Sequence, residues 1–183
     1  MTTANKLTIL RVVMIPAFLA VVYAGFPGSG YVALAIYIVA CLTDWLDGYI
    51  ARHYNQVSDF GKFMDPLADK CLVVAALCWF VENGQMAGWV LAVVLLREFA
   101  VSGMRLVAVE KGRVIAAGWS GKVKTVVTMV ALCLMLLLQA ALPQRLLGDT
   151  VISVLYWICI VAISATTLYS GVEYFVQNRD ALR

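Results

Sequence analysis

The chain is a succession of six long apolar stretches, near residues 8–25, 31–50, 67–82, 86–108, 123–142 and 149–175. An α-helix needs about 20 apolar residues to cross the hydrocarbon of a bilayer, and each stretch can supply them, the third with help from its flanks. Only 14% of the residues are charged, against about 25% in soluble domains. The sequence therefore predicts an all-α, polytopic membrane protein with six transmembrane helices, in a single domain over residues 1–183.

Positive charges are divided unevenly between the two sides of this predicted bundle. Six spans put both termini on one side, and eleven lysines and arginines fall on that side or near it, whereas the other side carries only Arg145. Because cytoplasmic loops carry the excess of lysine and arginine, we expect both termini in the cytoplasm. No pattern typical of nucleic-acid binding occurs. The apolar stretches indicate that the expected partners are membrane lipids.

Four aspartates interrupt the apolar sequence in two spaced pairs. Asp44 and Asp47 are three residues apart, and Asp65 and Asp69 are four apart, so each pair lies on one helical face. A carboxylate at membrane depth costs roughly 3 kcal/mol on insertion scales and usually has a function. Antiparallel helices can bring both pairs together, and oxygen-only ligands favour Mg²⁺ or Mn²⁺ over zinc. The spacing predicts a site for two divalent ions.

Two other interpretations of this acidic segment remain open. Asp59 and Lys62 are as compatible with a cytoplasmic loop whose charges face water as with a role in the site. A polar contact between helices through Asp44 and Arg52 would also account for one pair, but it leaves three aspartates unexplained.

The same residues resemble a known family. Eight fixed positions at fixed spacing match the signature of the CDP-alcohol phosphotransferases, D44-x-x-D47-G48-x-x-A51-R52, eight residues, then G61-x-x-x-D65-x-x-x-D69. The resemblance implies a six-helix membrane fold, a homodimer, and a reaction in which an alcohol attacks the β-phosphate of a CDP-linked lipid and CMP leaves.

The resemblance also implies roles for individual residues. Asp44, Asp47 and Asp65 would bind the first metal ion, and Asp65 and Asp69 the second. Asp69 would also be the general base that takes the proton of the acceptor hydroxyl. Residues matching the CDP-lipid-binding positions of the family are Asn5, Thr8, Gly48, Arg52, Ser58 and Gly61.

A second polar group occurs in the fourth and fifth apolar stretches. Arg105, Lys122 and Lys124 predict a binding site for the phosphate of the acceptor, since lysines near a helix start suit phosphate. Arg97 and Glu98 are predicted to be a structural polar pair, although neighbours on a helix do not face each other, so each needs partners elsewhere. These residues resemble the bacterial phosphatidylglycerophosphate synthase branch of the family. That branch implies CDP-diacylglycerol and glycerol 3-phosphate as substrates, in the bacterial inner membrane, with the active site facing the cytoplasm.

Other functions compatible with the sequence differ in acceptor or in class. The same family also implies inositol phosphate, serine or phosphatidylglycerol as alternative acceptors. A divalent-cation transporter would likewise use intramembrane carboxylates, but transporters often contain repeats, and the other half of the chain has no second aspartate cluster. A non-catalytic membrane subunit leaves the aspartate spacing unexplained.

Overall fold

The computed structural model describes the backbone of residues 3–53, 59–112, 115, 118–140 and 148–179. These residues form six helices and no strands: α1 Thr3–Ala24, α2 Ser29–His53, α3 Asp59–Glu82, α4 Gly88–Glu110, α5 Trp119–Leu138 and α6 Asp149–Gln177. Each helix covers most or all of one predicted apolar stretch. The all-α prediction is therefore confirmed for the described residues.

Three of the helices end at a glycine in the left-handed conformation. Gly25 follows α1, Gly84 follows α3 and Gly112 follows α4, with φ angles of 58°, 70° and 72°. Glycine adopts this conformation without steric cost and commonly ends helices. The chain can therefore turn back sharply after each of these apolar segments.

Contacts between helix ends show that the helices alternate in direction. The hydroxyl of Tyr23, at the end of α1, donates to Glu82, at the end of α3. Gln139, just past α5, bonds to Gln85, just before α4. Asp149, the first residue of α6, lines a small cavity with Gln85. These helix ends therefore share one end of the bundle. The start of α1 and the end of α6 lie at the other, which we call the basic end.

The core runs along the middle of the bundle. Helix α1 packs on α2 and α3, α5 packs on α6 and α2, and α4 packs on α6. Large side chains from these helices are fully buried between them, among them Phe18, Phe80, Leu132 and Ile163. The Tyr156 hydroxyl donates to the carbonyl of Met135 at 3.1 Å and joins α6 to α5. Burial of this apolar surface fixes how the helices are rotated against each other.

The outer surface is apolar as well. By length and composition α5 and α6 can cross a membrane, while the apolar parts of α1 and α2 are shorter, Thr8–Ala24 and Ser29–Thr43. On α4, Leu96 and Phe99 are 71% and 72% exposed. An apolar exterior of this kind is typical of contact with lipid. Six spans remain a prediction.

Candidate active site

The predicted metal ligands lie at the basic end, in the last turns of α2 and the first turns of α3. At a rise of 1.5 Å per residue, Asp47 is about 9 Å from the end of α2 and Asp65 about 9 Å from the start of α3. Asp44 and Asp69 lie deeper, about 14 Å and 15 Å from the same ends. Since only residues 54–58 connect these ends, the helix register places the two pairs at matching depths.

The side chains of these four aspartates lie outside the described part of the structure. The side chains of Asn5 and Arg52 also lie outside it, although their backbones, and those of Gly48 and Gly61, lie in helices. Ser58 lies outside the described residues altogether. Among the side chains that are described, no group of three or more His, Cys, Asp or Glu side chains is placed to hold a metal. A set of four carboxylates does fit hard ions such as Mg²⁺ and Mn²⁺ by its oxygen chemistry.

The start of α1 lies at the same, basic end of the bundle. Thr8, predicted to contact the nucleotide, is 1% exposed, and so is Arg11 one turn further on. Helix α1 contacts both α2 and α3. The predicted N-terminal segment is therefore in the same helix that covers the two helices of the motif.

A cavity of about 600 Å³ opens between α3, α4 and α5 toward the basic end. Four cations and one carboxylate line it: Lys70, Arg97, Arg105, Lys122 and Glu98. We call it the cationic cavity. Its excess of positive charge suits an anion, and arginine and lysine are the usual partners of phosphate groups.

Glu98 joins three of the surrounding helices. Its Oε1 accepts hydrogen bonds from Lys124 Nζ at 2.6 Å and from Arg97 Nη1 at 2.9 Å. Its Oε2 lies 3.6 Å from Lys70 Nζ. The prediction that both members of the Arg97–Glu98 pair have partners elsewhere is confirmed. The expectation that these two neighbours do not meet is wrong, because the long arginine side chain reaches back to the carboxylate.

Two glycines make room for Arg97 between α5 and α6. Arg97 Nη2 donates to Ser170 Oγ at 2.6 Å. A Cβ atom on Gly121 would lie 3.4 Å from Arg97 Nη2, and one on Gly171 would lie 3.2 Å from Arg97 Cγ. The missing side chains therefore allow the guanidinium to bridge α4 to α6.

Arg105 is held by α6 in a similar way. Its Nε donates to the Tyr174 hydroxyl at 3.1 Å, and its Cζ lies 5.6 Å from the centroid of the Tyr174 ring. Tyr174 packs with Val101 and Met104 in a small apolar cluster beneath the cavity. Since the guanidinium has further donors, Arg105 can still bind an anion in the cationic cavity.

The structure brings together two of the three predicted phosphate ligands in one cavity. Arg105 and Lys122 line the cationic cavity, whereas Lys124 lines a neighbouring apolar cavity of about 250 Å³. Lys124 is 6% exposed, and its ammonium is paired with Glu98. Lys70, Glu98 and Thr125 line both cavities and so separate them.

Sequence reasoning did not assign Lys70, Ser102, Ser170 or Tyr174 to the site. The signal available was weak but present. Ser102 lies four residues after Glu98, and Tyr174 lies four after Ser170, so each pair shares a face of its helix. Polar pairs at this spacing in otherwise apolar helices indicate a face turned toward other polar groups.

Comparison with known proteins identifies the family. The family model described as CDP-alcohol phosphatidyltransferase matches residues 1–169. The chain belongs to the CDP-alcohol phosphatidyltransferase family, and the resemblance predicted from the aspartate motif is confirmed.

Similar proteins come from several bacteria, among them three named CDP-diacylglycerol–glycerol-3-phosphate 3-phosphatidyltransferase. The protein from Bacillus subtilis is 38% identical over 98% of this chain and 96% of its own length. The Haemophilus influenzae protein is 43% identical over 69% of this chain and 70% of its own. The Escherichia coli protein is 42% identical over 71% of this chain and 74% of its own.

Proposed function

We propose that this chain transfers the phosphatidyl group of CDP-diacylglycerol to glycerol 3-phosphate, giving phosphatidylglycerophosphate and CMP. The observation that supports glycerol 3-phosphate as the acceptor is the cationic cavity beside α3, the helix that holds Asp65 and Asp69. Four cations around one cavity fit an acceptor that carries a phosphate. Family membership and the names of the bacterial relatives support the same reaction.

In the proposed reaction the oxygen of an acceptor hydroxyl attacks the β-phosphorus of CDP-diacylglycerol. A new phosphorus–oxygen bond forms, and the bond from this phosphorus to the oxygen of CMP breaks, with the electron pair leaving on CMP. Asp69 takes the hydroxyl proton as general base. Arg105 and Lys122 hold the acceptor phosphate, so that the hydroxyl is presented in a fixed orientation.

Asp44, Asp47, Asp65 and Asp69 are proposed to hold two Mg²⁺ or Mn²⁺ ions. Such ions neutralise charge on the attacking and leaving oxygens of a phosphoryl group. Asn5, Thr8, Gly48, Arg52, Ser58 and Gly61 are proposed to contact the CDP-lipid. Helix α1, which carries Asn5 and Thr8, contacts both α2 and α3, and this supports the placement.

The proposed setting is a bacterial cytoplasmic membrane, crossed six times, with the active site facing the cytoplasm. The apolar exterior and the two helices long enough to cross a membrane support this. So does the alternation of the helices, which gathers most lysines and arginines at one end of the bundle. A homodimer is proposed from the family resemblance alone.

An acceptor panel tests the function. Purified protein in detergent receives CDP-diacylglycerol, Mg²⁺ and one acceptor at a time: glycerol 3-phosphate, inositol phosphate, serine or phosphatidylglycerol. We expect CMP release with glycerol 3-phosphate, and its loss in excess EDTA with recovery on adding Mg²⁺. CMP release with another acceptor but not with glycerol 3-phosphate would refute the proposed substrate. Full activity in EDTA would refute the role of the metal.

A further inference from the structure

Lys70 connects the two halves of the site. It follows Asp69 directly in α3, and it lines the cationic cavity together with cations from α4 and α5. Of the four cations that line this cavity, Lys70 alone comes from a helix that carries motif aspartates. A group bound by Lys70 therefore lies beside the helix that carries the proposed base.

Two side chains of α4 fix the ammonium of Lys70. Its Nζ donates to Ser102 Oγ at 2.7 Å, and it lies 3.6 Å from Glu98 Oε2. The side chain is 38% exposed, so it is anchored without being closed off from the cavity. An ammonium has three protons to donate, and Ser102 and Glu98 are the partners of this one among the side chains that the structure describes.

The size of the proposed acceptor gives this position its importance. In glycerol 3-phosphate only three carbon atoms separate the phosphate from the attacking hydroxyl. When that hydroxyl is within reach of Asp69, the phosphate must lie close to the same helix. Lys70, one residue after Asp69, lines a cavity with three further cations and so meets this requirement.

We propose that Lys70 binds the acceptor phosphate together with Arg105 and Lys122, and that Glu98 and Ser102 are positioning residues for its ammonium. The inference rests on the proposed function and extends it to residues of α3 and α4. Lys124 then acts indirectly, because its charge holds the carboxylate of Glu98 in place.

The first experiment compares two variants of different severity. Lys70→Gln removes the charge and should raise the KM for glycerol 3-phosphate about tenfold or more. Ser102→Ala removes one anchor at an exposed position and leaves every charge in place, so the fold should tolerate it. We expect a rise of about two- to tenfold in the same KM. The KM for CDP-diacylglycerol should stay within about threefold in both variants.

Glu98 supplies a test in which the sign of the effect decides. Glu98→Gln removes a negative charge near an anion site, which by charge alone would lower the KM for glycerol 3-phosphate. Loss of positioning predicts the opposite, a KM raised about tenfold. Glu98→Asp keeps the carboxylate and should recover part of the loss. Glu110→Gln is the matched control, since it makes the same charge change at an exposed position of the same helix.

Several results would overturn the proposal. A folded Lys70→Gln variant with an unchanged KM for glycerol 3-phosphate removes Lys70 from the phosphate site. Equal increases in both KM values would show a general structural effect. A lowered KM in Glu98→Gln would reduce Glu98 to a nearby charge. Failure of the proposed function is visible separately, because the wild type would then release no CMP with glycerol 3-phosphate.

Discussion

The lysines of α5 show that equal charges two residues apart can have different tasks. Lys122 lines the cationic cavity, whereas Lys124 is buried and its ammonium contacts Glu98 at 2.6 Å. Removing one partner of a buried ion pair costs about 3–5 kcal/mol when the remaining charge is left uncompensated, and less here because Arg97 and Lys70 still contact Glu98. Neutralising Lys124 should therefore lower stability as well as activity, whereas neutralising Lys122 should change only the KM for the acceptor.

Lys122→Gln and Arg105→Gln should each raise the KM for glycerol 3-phosphate. A charged hydrogen bond lost from such a site is worth roughly 1.5–3 kcal/mol, or about 10- to 150-fold. Steady-state kinetics with each substrate varied in turn measures the effect, and the KM for CDP-diacylglycerol should change much less. Arg179→Gln, an exposed charge just past α6, is the control. Wild-type KM values in both variants would place the phosphate site elsewhere.

Asp69→Asn should fold normally and lose turnover. Loss of a general base typically costs 10²- to 10⁴-fold, roughly, and here a proposed metal ligand is altered too. CMP release measures the activity, and circular dichroism in detergent checks the helix content. Asp59→Asn, an acid of the same helix outside the eight-position motif, is the matched control and should stay active. Activity of Asp69→Asn within about threefold of wild type would remove this aspartate from the mechanism.

At the scale of the helices, the packing of α5 contributes to stability. One of its faces is buried against α6 and α2, with Leu132, Met135 and Leu136 fully enclosed. The neighbouring Leu137 points outward and is 38% exposed. From residue 129 onward α5 is apolar all round, so composition by itself does not tell these two faces apart.

Leu136→Ala should lower the melting temperature in detergent clearly more than Leu137→Ala. Truncating a buried leucine costs about 2–5 kcal/mol, because it leaves a cavity in a packed core. The exposed leucine loses contact mainly with lipid or detergent. Thermal unfolding of both variants in the same micelles measures the difference, and equal shifts would contradict the described rotation of α5.

At the scale of the molecule, an even number of alternating helices puts both termini and the site at one end. The ends of α1, α3 and α5 meet the starts of α4 and α6 at the opposite end, as the bonds of Tyr23 with Glu82 and of Gln85 with Gln139 show. The starts of α3 and α5 and the ends of α2 and α4 are therefore together at the basic end. From the positive-inside rule we propose that this end faces the cytoplasm.

Cysteine labelling tests this orientation. In a background without native cysteines, Asn55→Cys should react only with reagents that reach the cytoplasm; Asn55 lies outside the described residues, between α2 and α3. Asn83→Cys, at the opposite end, is the matched position. It should react with reagents that cannot cross the cytoplasmic membrane, added to cells whose outer membrane has been permeabilised. The reverse pattern would invert the proposed topology.

Much of the fold and part of the site could be predicted from local sequence. The apolar stretches predicted the six helices of the described residues, since the need to satisfy backbone hydrogen bonds inside the membrane acts along each segment. The spacing of Asp44, Asp47, Asp65 and Asp69 predicted the family, because helical periodicity puts such residues on shared faces. The even number of apolar stretches predicted that both termini lie on one side, and the uneven distribution of lysine and arginine predicted that this side is cytoplasmic.

Tertiary structure alone decided how the charges pair. Arg97 bonds to Ser170 across 73 residues of sequence, and Arg105 to Tyr174 across 69. No local pattern specifies such partners, because they depend on how neighbouring helices are rotated and how closely glycines let them approach. The same packing buries Lys124 against Glu98 while Lys122 lines the cationic cavity, and it turns Lys70 toward that cavity. Charge is set residue by residue, but what each charge is free to bind is set by helix packing.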